Sequence, residues 1–336
     1  MNTSPAKKPI TLTKVISFCV GLVVLYLLLS QINFRDLSRL LFTIKPFHLL
    51  LGGFIYLCKA SVRSYRITRL NKSSRLSQLK MLRLSLASSL ASQILPFKLG
   101  EFSYVYLLNR EDKASVTQGL SSLVILRVFD ILAVAILFLG ISLWEGLPDD
   151  LSNYYVPVLI FMAAVALAFG VWMLASRLKG FALGQVQGWK IFSMPIAQKA
   201  LRGIESLVDS LKQYRAVEYP LFILLAVVEW TINYATFHVI MLGMGFTPTI
   251  FATVVAVSFS ILASVLPINS LGNFGTQEAG WTSGLLLMGF SKTDAIASGF
   301  ATHLITLGYM ILFGGIAWIS YWLTSASTVD QGAGQT

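Results

Sequence analysis

A series of apolar runs constrains this chain more than any other feature, because each is about twenty residues long, the length an α-helix needs to cross roughly 30 Å of hydrocarbon. They occupy residues 14–32, 47–62, 115–143, 154–176, 219–243 and 294–322. Lipid offers no water to an open backbone, so each run must be helical. A soluble fold could not hide them: 55% of the 336 residues are hydrophobic and 12% are charged, about half the charged share of a globular protein. The chain therefore reads as an all-α polytopic membrane protein with about six full spans. Residues 1–13 read as a cytoplasmic segment and 323–336 as a disordered tail. The first run follows Lys7, Lys8 and Lys14 as a signal peptide would. It ends in Leu29, Ser30 and Gln31 without a small-residue cleavage pattern, and so reads as a retained helix.

Two further apolar stretches, 81–108 and 251–290, are interrupted by proline and glycine. Cytoplasmic segments are enriched in Lys and Arg. With the N-terminus inside, 20 of the 26 basic residues fall on that side, eight of them between Lys59 and Arg83. Arg35, Arg39, Lys45 and Lys292 fall outside, and Lys98 and Arg127 lie within the membrane. This count closes only if each interrupted stretch enters and leaves on one side, as a re-entrant hairpin. An internal repeat points the same way. Residues 91–102 read ASQILPFKLGEF and residues 263–274 read ASVLPINSLGNF, sharing Ala, Ser, Leu, Pro, Leu, Gly and Phe in order. Each copy is preceded by an amphipathic stripe, a proline and a span. Leu37, Leu40, Leu41 and Ile44 precede Pro46, and Leu201, Ile204, Leu207, Val208 and Leu211 precede Pro220. Each copy is followed by a span bearing Gly119 or Gly299. The repeats, 14–143 and 154–322, are separated by an odd number of crossings and are therefore inverted, an architecture of secondary transporters.

Backbone freed from helical bonding is tolerated at membrane depth only where protein or a watery cavity satisfies it, so the two breaks imply a polar cavity. New half-helices would begin after Gly100 and after Gly272 or Gly275, with N–H groups that favour anions and phosphate in particular. Lys98 adds a full charge to one break; Asn269, Ser270, Asn273 and Thr276 supply neutral donors at the other. Glu101 and Glu278 occupy the first turns, where they also satisfy the helix dipole. Ionisable residues within the membrane are functional candidates by default. Arg127 and Asp130, three apart on one face, read as an internal salt bridge compatible with gating. Glu229 reads as a proton carrier or a partner of Arg127, and His303 as a hydrogen-bonded packing residue. The substrate site is thus expected from Lys98, Gly100, Glu101, Arg127, Asn269, Ser270, Gly272, Asn273, Gly275, Thr276 and Glu278. Asp130, Glu229 and His303 are expected to gate or couple it.

The formal charge of +11 is assigned to anionic lipids at cytoplasmic basic loops, with no nucleic acid expected as partner. Cys19 and Cys58 lie in apolar runs, and no metal or cofactor pattern is present. No catalytic motif is found either. Gly284 and Gly289 have the spacing of a phosphate-binding loop, but Lys292 comes two residues late.

The segments ILPFKLGEFSYVYLL and LPINSLGNFGTQEAG, with Arg127 and Asp130 between them, resemble the transmembrane flippase domain of lysylphosphatidylglycerol synthases, the multiple peptide resistance factor group. The resemblance covers about residues 12–322. It carries Pro96, Leu99, Gly100 and Glu101, the Arg127 and Asp130 pair, and Gly275, Glu278 and Ala279 onto the family's motifs. Lys98 stands where an arginine is often found, Asn273 sits in a usually glycine-rich turn, and no soluble transferase domain is expected after residue 322. The resemblance implies a lipid flippase that moves a phosphate-bearing or other polar-headgroup lipid. The alternative is a membrane enzyme or accessory subunit in lipid-linked glycosyl transfer. The expected location is a prokaryotic cytoplasmic membrane, with both termini on the cytoplasmic side.

Overall fold

A computed structural model describes residues 26, 30, 34–71, 74–95, 100–144, 218–265 and 273–321. Every element among them is helical. The expected first span apart from Tyr26 and Ser30, the span 154–176, the second amphipathic stripe 201–211, the loop between the repeats and both termini lie outside the described residues.

Helix α1 (Phe34–Thr43) meets α2 (Pro46–Leu70) at a bend of 86°. Pro46 causes it. Proline pushes the residue before it out of helical geometry, and Lys45 is extended at φ −63° and ψ 122°. Proline itself suits the first helical position, where its missing N–H is not needed. The stripe predicted from Leu37, Leu40, Leu41 and Ile44 packs onto the core, while Phe42 on the opposite side is exposed.

Each interrupted stretch consists of two helices: α3 (Gln78–Ile94) with α4 (Glu101–Asp112), and α7 (Ile250–Val265) with α8 (Thr276–Leu287). Both pairs fold back on themselves. The N–H of Arg75, just ahead of α3, donates to Asp112 Oδ1 at the far end of α4 at 3.1 Å. In the second pair the Ser260 hydroxyl donates to the Gln277 carbonyl at 2.9 Å. A side chain at Gly280 would strike the Phe259 backbone, and one at Gly284 would meet Ala256 Cα at 2.7 Å. Residue numbers rise along one helix as they fall along the other, so α7 and α8 are antiparallel with backbones almost touching. Helices of 12 to 17 residues measure about 18 to 26 Å, short of the hydrocarbon thickness.

Three longer helices complete the described fold: α5 (Val116–Trp144), α6 (Tyr219–Gly243) and α9 (Lys292–Tyr309), which continues through a π-helical turn (Met310–Gly314) to residue 321. Each is long and apolar enough to span a membrane, and the bent α1 and α2 pair passes the same test. Helix α2 runs antiparallel to α6: Gly52 faces Ile240, Lys59 faces Asn233 and Arg66 faces Glu229. The second half of α9 lies on α3, where Trp318 Nε1 donates to the Ala87 carbonyl at 2.9 Å and Gly314 fits against Leu86 and Leu90.

One boundary differs from the sequence reading in a way that matters. The run at 47–62 already holds Lys59 and was expected to end before Arg63, yet α2 continues to Leu70 and takes Arg63 and Arg66 with it. These belong to a packed helix rather than to a cytoplasmic loop, because carboxylates on neighbouring helices receive their charges.

Candidate functional site

Lys59, Arg63 and Arg66 are spaced four and three residues apart, which sets them on one face of α2. That face meets α5 and α6. Arg66 Nη1 donates to Asp130 Oδ1 of α5 at 2.8 Å and also to Glu229 Oε2 of α6. All three side chains are nearly inaccessible, Arg66 at 2%. Arg63 Nη1 lies 3.5 Å from the other oxygen of Glu229. Lys59 Nζ donates to Asn233 Oδ1 at 3.1 Å and rests 5.1 Å from the centre of the Tyr56 ring. From Glu229 to the start of α6 is ten residues, about 15 Å along the axis, so this cluster lies well inside the helix bundle.

One turn from Asp130, Arg127 Nη2 donates to Glu101 Oε1 at 2.5 Å, with side-chain exposures of 52% and 28%. This pair joins α5 to the first turn of α4, beside the break in the first hairpin. An open guanidinium nine residues into the span that begins at Gln118 needs a polar surround, since ionisable groups at such depth face a bundle interior or watery cavity. The two clusters form a charged track running from Glu101 through Arg127, Asp130, Arg66 and Glu229 to Arg63. Buried polar bonds brace its walls: Asn71 Nδ2 donates to Tyr104 Oη at 3.1 Å, and Ser122 Oγ donates to Asn71 Oδ1 at 2.9 Å. They hold the end of α2 against α4 and α5.

A second polar cluster joins the hairpins. Glu278, in the first turn of α8, accepts the Gly275 N–H at 2.7 Å with one oxygen and meets His303 Nδ1 of α9 with the other. The His303 ring stacks on Phe274 at 4.3 Å between centroids, and its Nε2 lies 2.7 Å from Gln93 Nε2 near the end of α3. Asn273 Nδ2 in turn donates to Gln93 Oε1 at 3.4 Å. The turn before α8 needs unusual backbone, with φ +57° at Asn273 and +90° at Gly275. Glycine accepts such angles freely, and asparagine tolerates the former. Thr276 closes the turn by donating to the Asn273 carbonyl at 3.2 Å.

Several sequence expectations are corrected here. Arg127 and Asp130 do not pair with each other; Arg127 reaches Glu101, while Asp130 binds Arg66. Glu229 is likewise bound by Arg66 and Arg63 rather than by Arg127. Partners on neighbouring helices hold the donors in better geometry than the i,i+3 neighbour offers. Glu278 does satisfy the helix start, and it also binds His303. Gly100 precedes α4 so closely packed on the backbone of Ala91 and Ser92 that a side chain has no room there. Lys98, Asn269, Ser270 and Gly272 lie outside the described residues. Sequence reasoning missed Arg66, Arg63, Lys59 and Gln93. The available signal was the basic face of α2 at 59, 63 and 66, continuous with an apolar run.

Comparison with known proteins places the chain among membrane proteins. No solved structure matches the chain. The UPF0104 membrane protein MJ1078 of Methanocaldococcus jannaschii is 25% identical over 230 residues, covering 67% of this chain and 91% of that protein. The profile described as the lysylphosphatidylglycerol synthase TM region matches residues 14–315. This multi-pass membrane protein belongs to the lysylphosphatidylglycerol synthase transmembrane-region family.

Proposed function

We propose that the protein is a flippase that moves a lipid with an anionic, phosphate-bearing headgroup between leaflets. The supporting observation is the charge balance of the track: Lys59, Arg63, Arg66 and Arg127 stand against Glu101, Asp130 and Glu229, and the buried Arg66 Nη2 has no hydrogen-bond partner among the described residues. An unsatisfied guanidinium nitrogen beside a surplus positive charge suits a phosphate oxygen, which arginine binds in forked geometry. The acyl chains would stay in the bilayer while the headgroup follows the track. Lys98, Asn269, Ser270 and Gly272, assigned to the substrate site from sequence alone, are proposed to meet the same headgroup. No catalytic role is proposed.

The inverted repeat is part of this reading. Its support is a pair of equivalent contacts: Gly119 of α5 fits against Val105 of α4, and Gly299 of α9 fits against Trp281 of α8. In both halves a glycine on the helix after the hairpin admits a bulky residue from the hairpin's second helix. The short lengths of the hairpin helices and the antiparallel α2 and α6 support it too. We further propose cytoplasmic termini, from the basic asymmetry of the sequence.

The test is translocation of headgroup-labelled lipids in reconstituted phosphatidylcholine vesicles. Labelled phosphatidylglycerol should cross faster than labelled phosphatidylcholine. Lys59→Gln and Arg63→Gln should each slow it about tenfold, equivalent to about 1.4 kcal/mol, with little change for phosphatidylcholine. Equal movement of both lipids, unaffected by the substitutions, would remove the anion site. Rates no higher than in protein-free vesicles would remove the flippase.

A further inference from the structure

We propose that Glu278 and His303 form a proton-binding site that drives transport, and that Gln93 and Asn273 carry its protonation state to both hairpin turns. The proposal rests on the flippase reading and adds the energy source. In the observed arrangement the Gln93 amide nitrogen faces His303 Nε2 and donates to it. That ring nitrogen must then be an acceptor, so the imidazole carries its proton on Nδ1 and donates it to Glu278. The ring is neutral in this state, and Glu278, with 0% exposure, is a buried carboxylate held by one N–H and one imidazole.

One added proton changes both charge and connectivity. An imidazolium donates from both nitrogens, so Nε2 can no longer accept from Gln93. The Gln93 amide must turn its oxygen to the ring and its nitrogen to Asn273. The amide of Asn273 must then turn as well, from donor to acceptor. Gln93 stands one residue before the last residue of α3, and Asn273 sits at φ +57° ahead of α8. A single protonation thus reverses a relay that spans the two hairpin turns, while the buried pair passes from one net negative charge to none. Burying an uncompensated charge is costly, so the two states favour different surroundings for Gln93 and Asn273. Imidazole is suited to the task because each of its two ring nitrogens can either donate or accept a hydrogen bond.

Among the described side chains, the other ionisable groups on the elements packed against α9 are engaged elsewhere or, like Lys80 of α3, lie at the surface. From α6, Glu229 is held by Arg63 and Arg66, and His238 Nδ1 meets Thr253 Oγ1 at 2.9 Å. From α1, Arg35 and Arg39 are exposed. From α3, Arg83 Nε donates to Ser320. On α9 itself Lys292 is exposed and Asp294 is capped by Ser291.

The experiment compares labelled phosphatidylglycerol movement in phosphatidylcholine vesicles with and without an imposed pH gradient. In the wild type the gradient should raise the rate about tenfold, a typical coupling factor. In Glu278→Gln and His303→Gln the ratio should fall to about one, whatever the basal rate, whereas Arg63→Gln should lower both rates and keep the ratio. Wild-type movement indifferent to the gradient would overturn the coupling and leave the flippase standing. A ratio preserved in either variant would also overturn it. Infrared difference spectra of the purified proteins between about pH 8 and pH 5 read proton uptake without any lipid. An imidazole signal present in the wild type and missing from His303→Gln is expected; its absence in the wild type rejects the site. Should no lipid move at all, the flippase reading fails and the spectra alone decide whether the pair binds a proton.

Discussion

Arg66→Met is expected to destabilise the protein by about 3 to 5 kcal/mol, the cost of breaking a buried ion pair by removing one partner. The reason is local. One guanidinium nitrogen bonds both Asp130 and Glu229, which are 5% and 4% exposed on two different helices. Without Arg66 the two carboxylates face each other across the α5 and α6 interface, and Arg63 at 3.5 Å from Glu229 can answer only one. Arg66→Lys should recover part of the loss, because an ammonium replaces the charge without the fork. The triple change Arg66→Met, Asp130→Asn, Glu229→Gln should recover most of it, since neutral groups of similar volume often replace a buried network at little cost. Thermal unfolding in detergent reads all three. A single variant as stable as wild type would show that packing alone holds these helices together. Transport should remain impaired in the stable triple variant, which separates the structural role of the network from its proposed contact with a headgroup.

Gly280→Val is expected to cost about 3 kcal/mol, the upper part of the range for overpacking. What a new side chain would meet there is the Phe259 carbonyl and the Cα of Ser260 at 2.7 Å. Backbone cannot rotate aside as a side chain can. The α7 and α8 hairpin must open, the bond from Ser260 to the Gln277 carbonyl must stretch, and the turn bearing Asn273 and Gly275 moves with it. Gly308→Ala provides the opposite sign. Nothing lies within 4 Å of a side chain placed there, so removing a helical glycine should stabilise α9 by about 0.5 to 1 kcal/mol. Equal effects at the two positions would mean that the close approach of α7 and α8 is not what Gly280 serves.

Much of the fold was legible because lipid leaves few choices. The run 219–243 is the helix Tyr219–Gly243, and 115–143 is Val116–Trp144 within a residue at each end. Proline and glycine marked the breaks in 81–108 and 251–290, where the structure has two helices each. The stripe before Pro46 marked a bent amphipathic helix. Each of these signals is local, carried by length, periodicity or a residue whose backbone chemistry is unusual.

The charged site was only partly legible. Glu101, Arg127, Asp130, Glu229, Glu278 and His303 stood out because an ionisable residue within an apolar run is expensive. Their partners did not, and the pairing at Arg127 and Asp130 read from spacing was wrong. Periodicity along one helix reveals neighbours three or four residues apart and nothing across helices. Arg66 and Glu229 are 163 residues apart in sequence, and Gln93 and His303 are 210 apart. Arg66 also looked like one more positive charge in a basic loop, since an apolar run broken by Lys59 offers no sign of where the helix stops.

By itself, the sequence determined that the chain is helical, where most of its described helices run and where two of them break, because each of those outcomes follows from hydrocarbon thickness and the backbone limits of proline and glycine. Tertiary structure alone decided which charges meet. Packing α2 antiparallel against α6 and beside α5 brings Arg66 to Asp130 and Glu229, and packing α9 against both hairpins brings His303 between Gln93 and Glu278. The energy of a buried charge depends on what stands within a few ångströms of it, and that neighbourhood exists only after the helices have assembled.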